Sequence, residues 1–161
     1  TCDFCDAHKS DFSGKFRVIA PLFKDYGGRI AFCGQVLTVK CYADNSHVKL
    51  AVESAGHGRV LVVDGAGSLQ RALLGGNLAA AAARNGWAGI VVDGCVRDLA
   101  EISVLPIGIR ALALNPTPTL RSDQGLTGIP VGIQGTPVHS GDWLYADADG
   151  MVVSSDALHL S

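Results

Sequence analysis

The sequence predicts an α/β fold with a parallel βαβ core and a β-rich C-terminal third, in one domain over residues 1–161. Two apolar runs, LVVDG (61–65) and IVVDG (90–94), echo one another, and the alanine-rich segment between them has the composition of a helix. Two buried strands joined through a helix run parallel, because the helix returns the chain to the end of the sheet at which the first strand began. From residue 128 onward, glycine and proline separate short β-forming segments.

The remaining elements follow from β-forming residues, helix caps and glycines. A strand is predicted over 30–42, and the polar residues at 44–46 cap a helix that runs to about Ala55. Residues 1–29 mix acidic, aromatic and turn-forming residues, and no element is predicted there. The other predicted elements are strands 59–63 and 88–92 around a helix over 77–85, a short helix over 98–104, and strands over 107–114, 129–134, 136–139, 143–146 and 150–153.

Composition and charge exclude several classes of protein. The chain is 48% hydrophobic and only 17% charged, which excludes a disordered protein. Its net charge is −2 and it has no basic run, so direct binding of nucleic acid is not favoured. Charged residues interrupt the apolar segments before they reach the roughly 18–20 residues of a membrane span, and an odd number of irregularly spaced cysteines fits a reducing compartment. These features predict a soluble, cytoplasmic protein without a membrane segment.

Three loops at predicted carboxyl ends of strands or at a helix start are candidate sites. They are 64–68, 93–98 and the segment Gly75-Gly76-Asn77-Leu78, whose backbone N–H groups open the alanine-rich helix and favour an anion. For Asp64 and Asp93 the favoured interpretation is an aspartate that closes an Asp-Gly turn. For Arg97 and Asp98, a surface arginine beside a helix-capping aspartate is as good an interpretation as a functional pair. Cys95 fits a small buried residue better than a nucleophile.

Longer strings of sequence carry a specific resemblance. The segments YGGRIAFCGQVLTVKCYADNS (26–46), GRVLVVDGAGSLQRALLGGNLA (58–79), GWAGIVVDGCVRD (86–98), LPIGIRALALNP (105–116) and GDWLYADADGMVVS (141–154) resemble the RraA family. Members are regulators of ribonuclease E activity and are related to the metal-dependent 4-hydroxy-4-methyl-2-oxoglutarate aldolases. The resemblance covers nearly the whole chain.

The resemblance implies a swivelling β/β/α domain that assembles as a ring-shaped homotrimer with sites near the subunit interfaces. In the related aldolases an Asp-x20-Arg-Asp pattern marks the site, and Arg97 and Asp98 match its Arg-Asp pair. Carried over, Asp98 would hold a divalent cation, Mg²⁺ or Mn²⁺. Arg97 would bind the carboxylate of a small 2-oxo acid, and backbone groups of Gly75, Gly76, Asn77 and Leu78 would line the same pocket.

One position departs from that pattern, because Gly76 stands where the aldolases carry the first Asp. Aldol cleavage needs a group that removes a hydroxyl proton, whereas oxaloacetate decarboxylation does not. The sequence therefore predicts that decarboxylation survives better than aldol cleavage, and that Gly76→Asp raises aldolase activity.

Three functions remain open at this point. The first is a metal-dependent carbon–carbon lyase, acting as an oxaloacetate decarboxylase or an aldolase. The second is a non-enzymatic inhibitor that binds a ribonuclease E-like protein and so regulates RNA metabolism. The third is a domain whose pocket binds a carboxylate without turning it over.

Overall fold

In the computed structural model, residues 1–159 are described, and they form four helices and twelve strands. The helices are α1 (Cys2–Ala7), α2 (Ser46–Glu53), α3 (Gly76–Arg84) and α4 (Leu99–Ile102). The strands are β1 (Phe16–Val18), β2 (Lys24–Asp25), β3 (Phe32–Lys40), β4 (Val60–Asp64), β5 (Ala72–Leu74), β6 (Gly89–Val96), β7 (Gly108–Leu114), β8 (Leu126–Thr127), β9 (Val131–Ile133), β10 (Thr136–Val138), β11 (Trp143–Asp147) and β12 (Gly150–Ser154).

A parallel region lies at the centre of the large sheet, whose strand order is β1-β12-β11-β3-β4-β6-β7-β2. Strands β3, β4, β6 and β7 pair in parallel, as the repeated LVVDG and IVVDG runs predict, and β5 also pairs with β6 in parallel. The long strand β3 pairs with two other strands along its length. Its first half pairs with β11 in antiparallel orientation, and its second half pairs with β4 in parallel. A separate hairpin joins β9 and β10.

The parallel strands are buried on both faces. Along β4, Leu61 and Val63 face a core shared with the helices, while Val60 and Val62 face a second core shared with the C-terminal strands. Both faces therefore need apolar residues, which is why these strands read as continuous hydrophobic runs in the sequence. The molecule thus has a layer of helices, a parallel layer and a C-terminal β layer, which confirms the predicted β/β/α arrangement.

Most predicted elements are present within a few residues of their expected ends, with two kinds of correction. The short elements α1, β1, β2, β5 and β8 were not predicted. The interpretation of Asp93 as a turn residue is wrong, because β6 continues through Asp93, which pairs with Asp64 of β4, to Cys95 and Val96. Those last two residues pair with β5 on one side and β7 on the other. The carboxylate of Asp93 instead accepts hydrogen bonds from the backbone N–H and side-chain amide of Gln134. The turn prediction for Asp64 is confirmed, since its Oδ1 accepts from Ala66 N–H at 2.9 Å.

Among residues 1–159, no helix is both long enough and apolar enough to cross a lipid bilayer.

Candidate active site

The pairing of β5 with β6 brings the two candidate loops together. Leu74, the last residue of β5, lies opposite Val96, the last residue of β6, and Arg97 N–H donates to the Leu74 carbonyl at 2.9 Å. The next residues of both strands, Gly75-Gly76 and Arg97-Asp98, are therefore neighbours at one edge of the sheet. All six residues predicted for the site line one cavity of about 440 Å³, namely Gly75, Gly76, Asn77, Leu78, Arg97 and Asp98.

Asp98 is held by the backbone at the start of α3. Its Oδ2 accepts a hydrogen bond from Gly76 N–H at 2.8 Å, and no donor is assigned to its Oδ1 within the described residues 1–159. Asp98 has φ of +63° and ψ of +48°, a left-handed conformation that Asp and Asn tolerate better than other residues with a side chain. Although Asp98 precedes α4, its side chain makes no capping hydrogen bond to that helix. The functional interpretation of this residue is therefore favoured over the capping interpretation.

Helix α3 presents backbone donors to the same cavity. The first helical hydrogen bond is donated by Ala79 to the Gly75 carbonyl at 3.0 Å, so the N–H groups of Asn77 and Leu78 precede the helical ladder. The positive end of the helix dipole adds to the attraction for an anion. A Cβ at position 75 would lie 2.8 Å from Asp98 Oδ2 and 3.3 Å from Arg97 Nε, so glycine is needed for this close approach.

Glu101 occupies the space that a side chain at position 76 would need. A Cβ built on Gly76 would lie 2.9 Å from Glu101 Cδ and would overlap with Glu101 Oε2. Glu101 lies on the first turn of α4, three residues after Asp98, so both carboxylates approach the start of α3. The sequence prediction missed Glu101. The available signal was that Glu101 follows Asp98 by three residues at the start of a predicted helix, a spacing that places both side chains on one side of that helix. The Glu101 carboxylate therefore lies beside position 76, where the sequence has no acid.

The segment 117–121, which follows β7, forms a further wall of the cavity. It is anchored to β5 by a hydrogen bond from Ala72 N–H to the Thr117 carbonyl at 2.8 Å. It is also anchored to the start of α2, because the buried carboxylate of Asp44 accepts from Ser122 N–H at 2.5 Å and from Ser46 N–H at 2.8 Å. Burial alone would raise the pKa of Asp44, but these hydrogen bonds outweigh burial and lower it. Asp44 is therefore ionised at neutral pH and ties the wall to the fold.

The wall adds groups that the sequence prediction did not assign. Thr119, Arg121 and the buried Asn45 line the cavity beside the predicted residues. The cavity thus contains two arginines, one aspartate and the free amides of a helix start, which makes it suited to a ligand with carboxylates.

Other candidate groups lie outside this cavity. Burial raises the pKa of the Cys95 thiol, so this residue is a neutral core residue and a poor nucleophile. Within residues 1–159, no cluster of three or more His, Cys, Asp or Glu side chains is arranged to hold a metal ion.

Comparisons with known proteins show which proteins this chain is similar to. A family model described as RraA-like (Aldolase/RraA) matches residues 1–153. A protein of Albidiferax ferrireducens, named as a candidate 4-hydroxy-4-methyl-2-oxoglutarate aldolase, is 60% identical over an alignment of 166 positions. The alignment covers 98% of this chain and 96% of that protein.

Two solved structures share the fold closely. The RNA-processing inhibitor RraA from Thermus thermophilus is 40% identical with a TM-score of 0.91, covering 97% of this chain and 92% of that one. A structure from Geobacillus kaustophilus, described as an S-adenosylmethionine:2-dimethylmenaquinone methyltransferase, is 38% identical with a TM-score of 0.92, covering 99% and 97%.

Proposed function

Since the chain belongs to the RraA-like family, we propose that it is a divalent-cation-dependent lyase that cleaves carbon–carbon bonds of small 2-oxo acids, as its aldolase-named relatives suggest. The observation that carries this proposal is that Arg97 and Asp98 line one cavity at the start of α3, with the Glu101 carboxylate beside Gly76. A protein that acts only as a scaffold has no physical need for two carboxylates and an arginine beside free backbone amides.

The residues present fit Mg²⁺ or Mn²⁺. These ions prefer oxygen ligands and keep several waters, so one carboxylate such as Asp98 with a free Oδ1 is a sufficient protein ligand when substrate oxygens complete the shell. When bound, such a cation withdraws electron density from the 2-oxo group and stabilises negative charge there as the carbon–carbon bond breaks. The hydrogen bond from Gly76 N–H to Oδ2 keeps the Asp98 side chain oriented for this role.

Arg97 is the group we assign to the carboxylate next to the 2-oxo group. Its guanidinium is planar and always charged, so it binds a carboxylate through two parallel hydrogen bonds. The N–H groups of Asn77 and Leu78 face the same cavity and add donors to the substrate oxygens. Together these groups would fix the orientation of the 2-oxo acid.

Glu101 is the group we assign to the hydroxyl proton in aldol cleavage. Its Oε2 lies where an acid at position 76 would place its side chain, so it is a candidate to accept that proton. In this proposal Glu101 takes the role of the missing acid, so we no longer rank decarboxylation above aldol cleavage. For the same reason we expect no gain of aldolase activity from Gly76→Asp alone.

The test measures turnover and cation binding separately. Wild-type protein with Mg²⁺ or Mn²⁺ should release pyruvate from oxaloacetate and from 4-hydroxy-4-methyl-2-oxoglutarate. Asp98→Asn should lose both activities and should also lose Mn²⁺ affinity in calorimetry, while its unfolding temperature stays close to that of the wild type. Asn is the correct replacement because it tolerates the left-handed backbone. Wild-type turnover of neither substrate, or an Asp98→Asn variant with unchanged turnover and Mn²⁺ affinity, would contradict the proposal.

A second candidate function is inhibition of an RNA-processing enzyme by protein–protein binding. It is favoured by the description of the Thermus thermophilus structure as an RNA-processing inhibitor. A ribonuclease E-like protein would be the partner, and the net charge of −2 argues for contact through protein surfaces and against competition for RNA. An Asp98→Asn protein that still slows RNA cleavage by such an enzyme would separate this function from the lyase activity.

Three further features belong to the proposal, the first from the family relation and the other two from the sequence. They are a homotrimeric assembly, a single domain over residues 1–161, and a cytoplasmic location. The methyltransferase description of the Geobacillus kaustophilus structure is not extended to this chain, because the sequence has no G-x-G-x-x-G motif.

A further inference from the structure

A second arginine lines the cavity that contains Arg97. Arg121 comes from the wall segment 117–121 and is exposed, whereas Arg97 follows β6 and is half-buried. Two guanidinium groups from separate segments line one cavity of about 440 Å³. Within residues 1–159, the protein partners of these two guanidinium groups are the Pro116 carbonyl and the Asn45 amide oxygen and not carboxylates, so each group can bind a negative group of a ligand.

Neighbouring groups orient Arg121 toward a ligand. Its Nε donates to Asn45 Oδ1 at 3.3 Å, and the buried Asn45 is itself fixed because its Nδ2 donates to the Leu73 carbonyl at 3.3 Å. Within the described part of the chain, no acceptor is assigned to the Nη1 and Nη2 atoms of Arg121. The two-pronged end of the guanidinium is therefore the part that remains for a carboxylate.

A buried hydroxyl in the same wall also lacks a partner. Thr119 Oγ1 is buried and makes no hydrogen bond within residues 1–159. A buried polar atom without a partner is costly, so the Thr119 hydroxyl needs a partner such as a water, an ion or a ligand. Since Thr119 and Arg121 belong to one short segment, a single carboxylate could accept from both.

We propose that Arg121, assisted by the Thr119 hydroxyl, binds the distal carboxylate of a dicarboxylic 2-oxo acid and selects 4-hydroxy-2-oxo acids that carry such a group. The assignment of reaction type rests on the proposed lyase function. In this arrangement Arg97 binds the carboxylate beside the 2-oxo group, Arg121 binds the far one, and Asn45 is a positioning residue that acts through Arg121.

The chemistry of the two candidate reactions makes this selection specific. In aldol cleavage of 4-hydroxy-4-methyl-2-oxoglutarate, the C3–C4 bond breaks and its electron pair stays on C3, which is then protonated. The C4 hydroxyl gives its proton to a base and becomes a carbonyl, so two pyruvates form and the distal carboxylate keeps its charge throughout. In oxaloacetate decarboxylation, the distal carboxylate itself leaves as neutral CO₂ and its electron pair remains on C3.

Arg121 should therefore have opposite effects on the two reactions. A guanidinium that binds the distal carboxylate stabilises both the substrate and the transition state of aldol cleavage. In decarboxylation it stabilises only the substrate, because the negative charge leaves that group as the bond breaks. Arg121 thus favours aldol cleavage over decarboxylation.

The kinetic test compares substrates with and without the distal carboxylate. Arg121→Gln should lower kcat/KM for 4-hydroxy-4-methyl-2-oxoglutarate by about 10- to 100-fold, the usual range for a lost hydrogen-bonded charge. The value for 4-hydroxy-2-oxopentanoate, which lacks that carboxylate, should change by less than about threefold, on the same scale. With oxaloacetate, KM should rise while kcat stays constant or increases. Arg84→Gln, at the exposed far end of α3, makes the same charge change and should alter none of these values.

A binding test keeps this inference separate from the lyase proposal. In calorimetry with Mg²⁺, the wild type should bind the unreactive dicarboxylate 2-oxoglutarate more tightly than pyruvate, and Arg121→Gln should remove that preference. If the preference is present but no substrate is turned over, the lyase proposal fails and this inference stands. Equal affinities for the two ligands in the wild type, or equal losses on both ligands in Arg121→Gln, would overturn the inference.

Discussion

Removal of the Glu101 carboxylate should separate the two reactions that the site is proposed to catalyse. Aldol cleavage needs a group that accepts the hydroxyl proton, whereas decarboxylation has no such proton to remove. Glu101→Ala should therefore lower kcat for aldol cleavage by about 10²- to 10⁴-fold, the range of general-base catalysis. That loss corresponds to about 3–5 kcal/mol of transition-state stabilisation. The decarboxylation rate should change by less than about threefold, a small effect on the same scale.

The geometry at Gly76 provides a matched rescue of that variant. In the wild type, Gly76→Asp would add a second carboxylate beside that of Glu101, since the added Cβ would overlap with Glu101 Oε2 and lie 2.9 Å from Glu101 Cδ. We expect this single change to lower aldol cleavage through steric overlap and charge repulsion. In the Glu101→Ala background the space is free, apart from the residue 101 Cβ at 3.2 Å, and the new aspartate should raise the rate at least about tenfold over Glu101→Ala alone.

The assay couples pyruvate release to NADH oxidation by lactate dehydrogenase, with saturating Mg²⁺ and both substrates, for the wild type, the two single variants and the double variant. Thermal unfolding of each protein provides the control for folding. Parallel losses of both reactions in Glu101→Ala would show that Glu101 acts on cation binding or on the fold and not as a base. A double variant no faster than Glu101→Ala would refute the spatial replacement of position 76 by Glu101.

Three further predictions concern ionisation, thiols and packing. Asp44 has a lowered pKa in the folded protein, so its contribution to stability is complete above the unfolded pKa near 3.9 and is lost as pH falls through the lower folded pKa. Asp44→Asn should therefore lower the free energy of unfolding by about 1–3 kcal/mol at pH 7. In urea titrations at a series of pH values, the variant should also lose less stability than the wild type as the pH is lowered into the acid range. An equal loss of stability in that variant would contradict this assignment. Burial, followed by the nearby carboxylates of Asp44 and Asp64, raises the pKa of Cys41 to about 12. A thiol reagent at pH 8 should therefore modify three of the five cysteines rapidly and should react with the buried Cys41 and Cys95 only after unfolding. Rapid modification of all five cysteines would show that the core opens readily. Leu61→Ala, at a fully buried position of β4, should lower the free energy of unfolding by about 2–5 kcal/mol in denaturant titration, and a loss below about 1 kcal/mol would mean that the core around it collapses to fill the space.

The sequence by itself determined the parallel core and the helix between its strands. Residues 61–63 and 90–92 are apolar at every position because both faces of β4 and β6 are buried, and the alanine-rich α3 is bounded by glycines. These signals are local, so they can be recognised without knowing what each segment contacts. Arg97 and Asp98 are also adjacent in the chain, so their match to the Arg-Asp pair of the family pattern was visible in the sequence.

Tertiary structure alone decided how the cavity is completed. Strand β5 has only three residues, and its pairing with β6 is what sets the Gly75-Gly76 loop beside Arg97-Asp98. Glu101 lies beside Gly76 because α4 packs its first turn against the start of α3, a contact that sequence spacing alone does not fix. Arg121 reaches the cavity through a segment anchored by nonlocal hydrogen bonds to Ala72 and Asp44. Such contacts join residues that are far apart in the sequence, so local sequence patterns do not reveal them. Local patterns therefore determined the strands and helices, and only the folded chain determined which residues line the site.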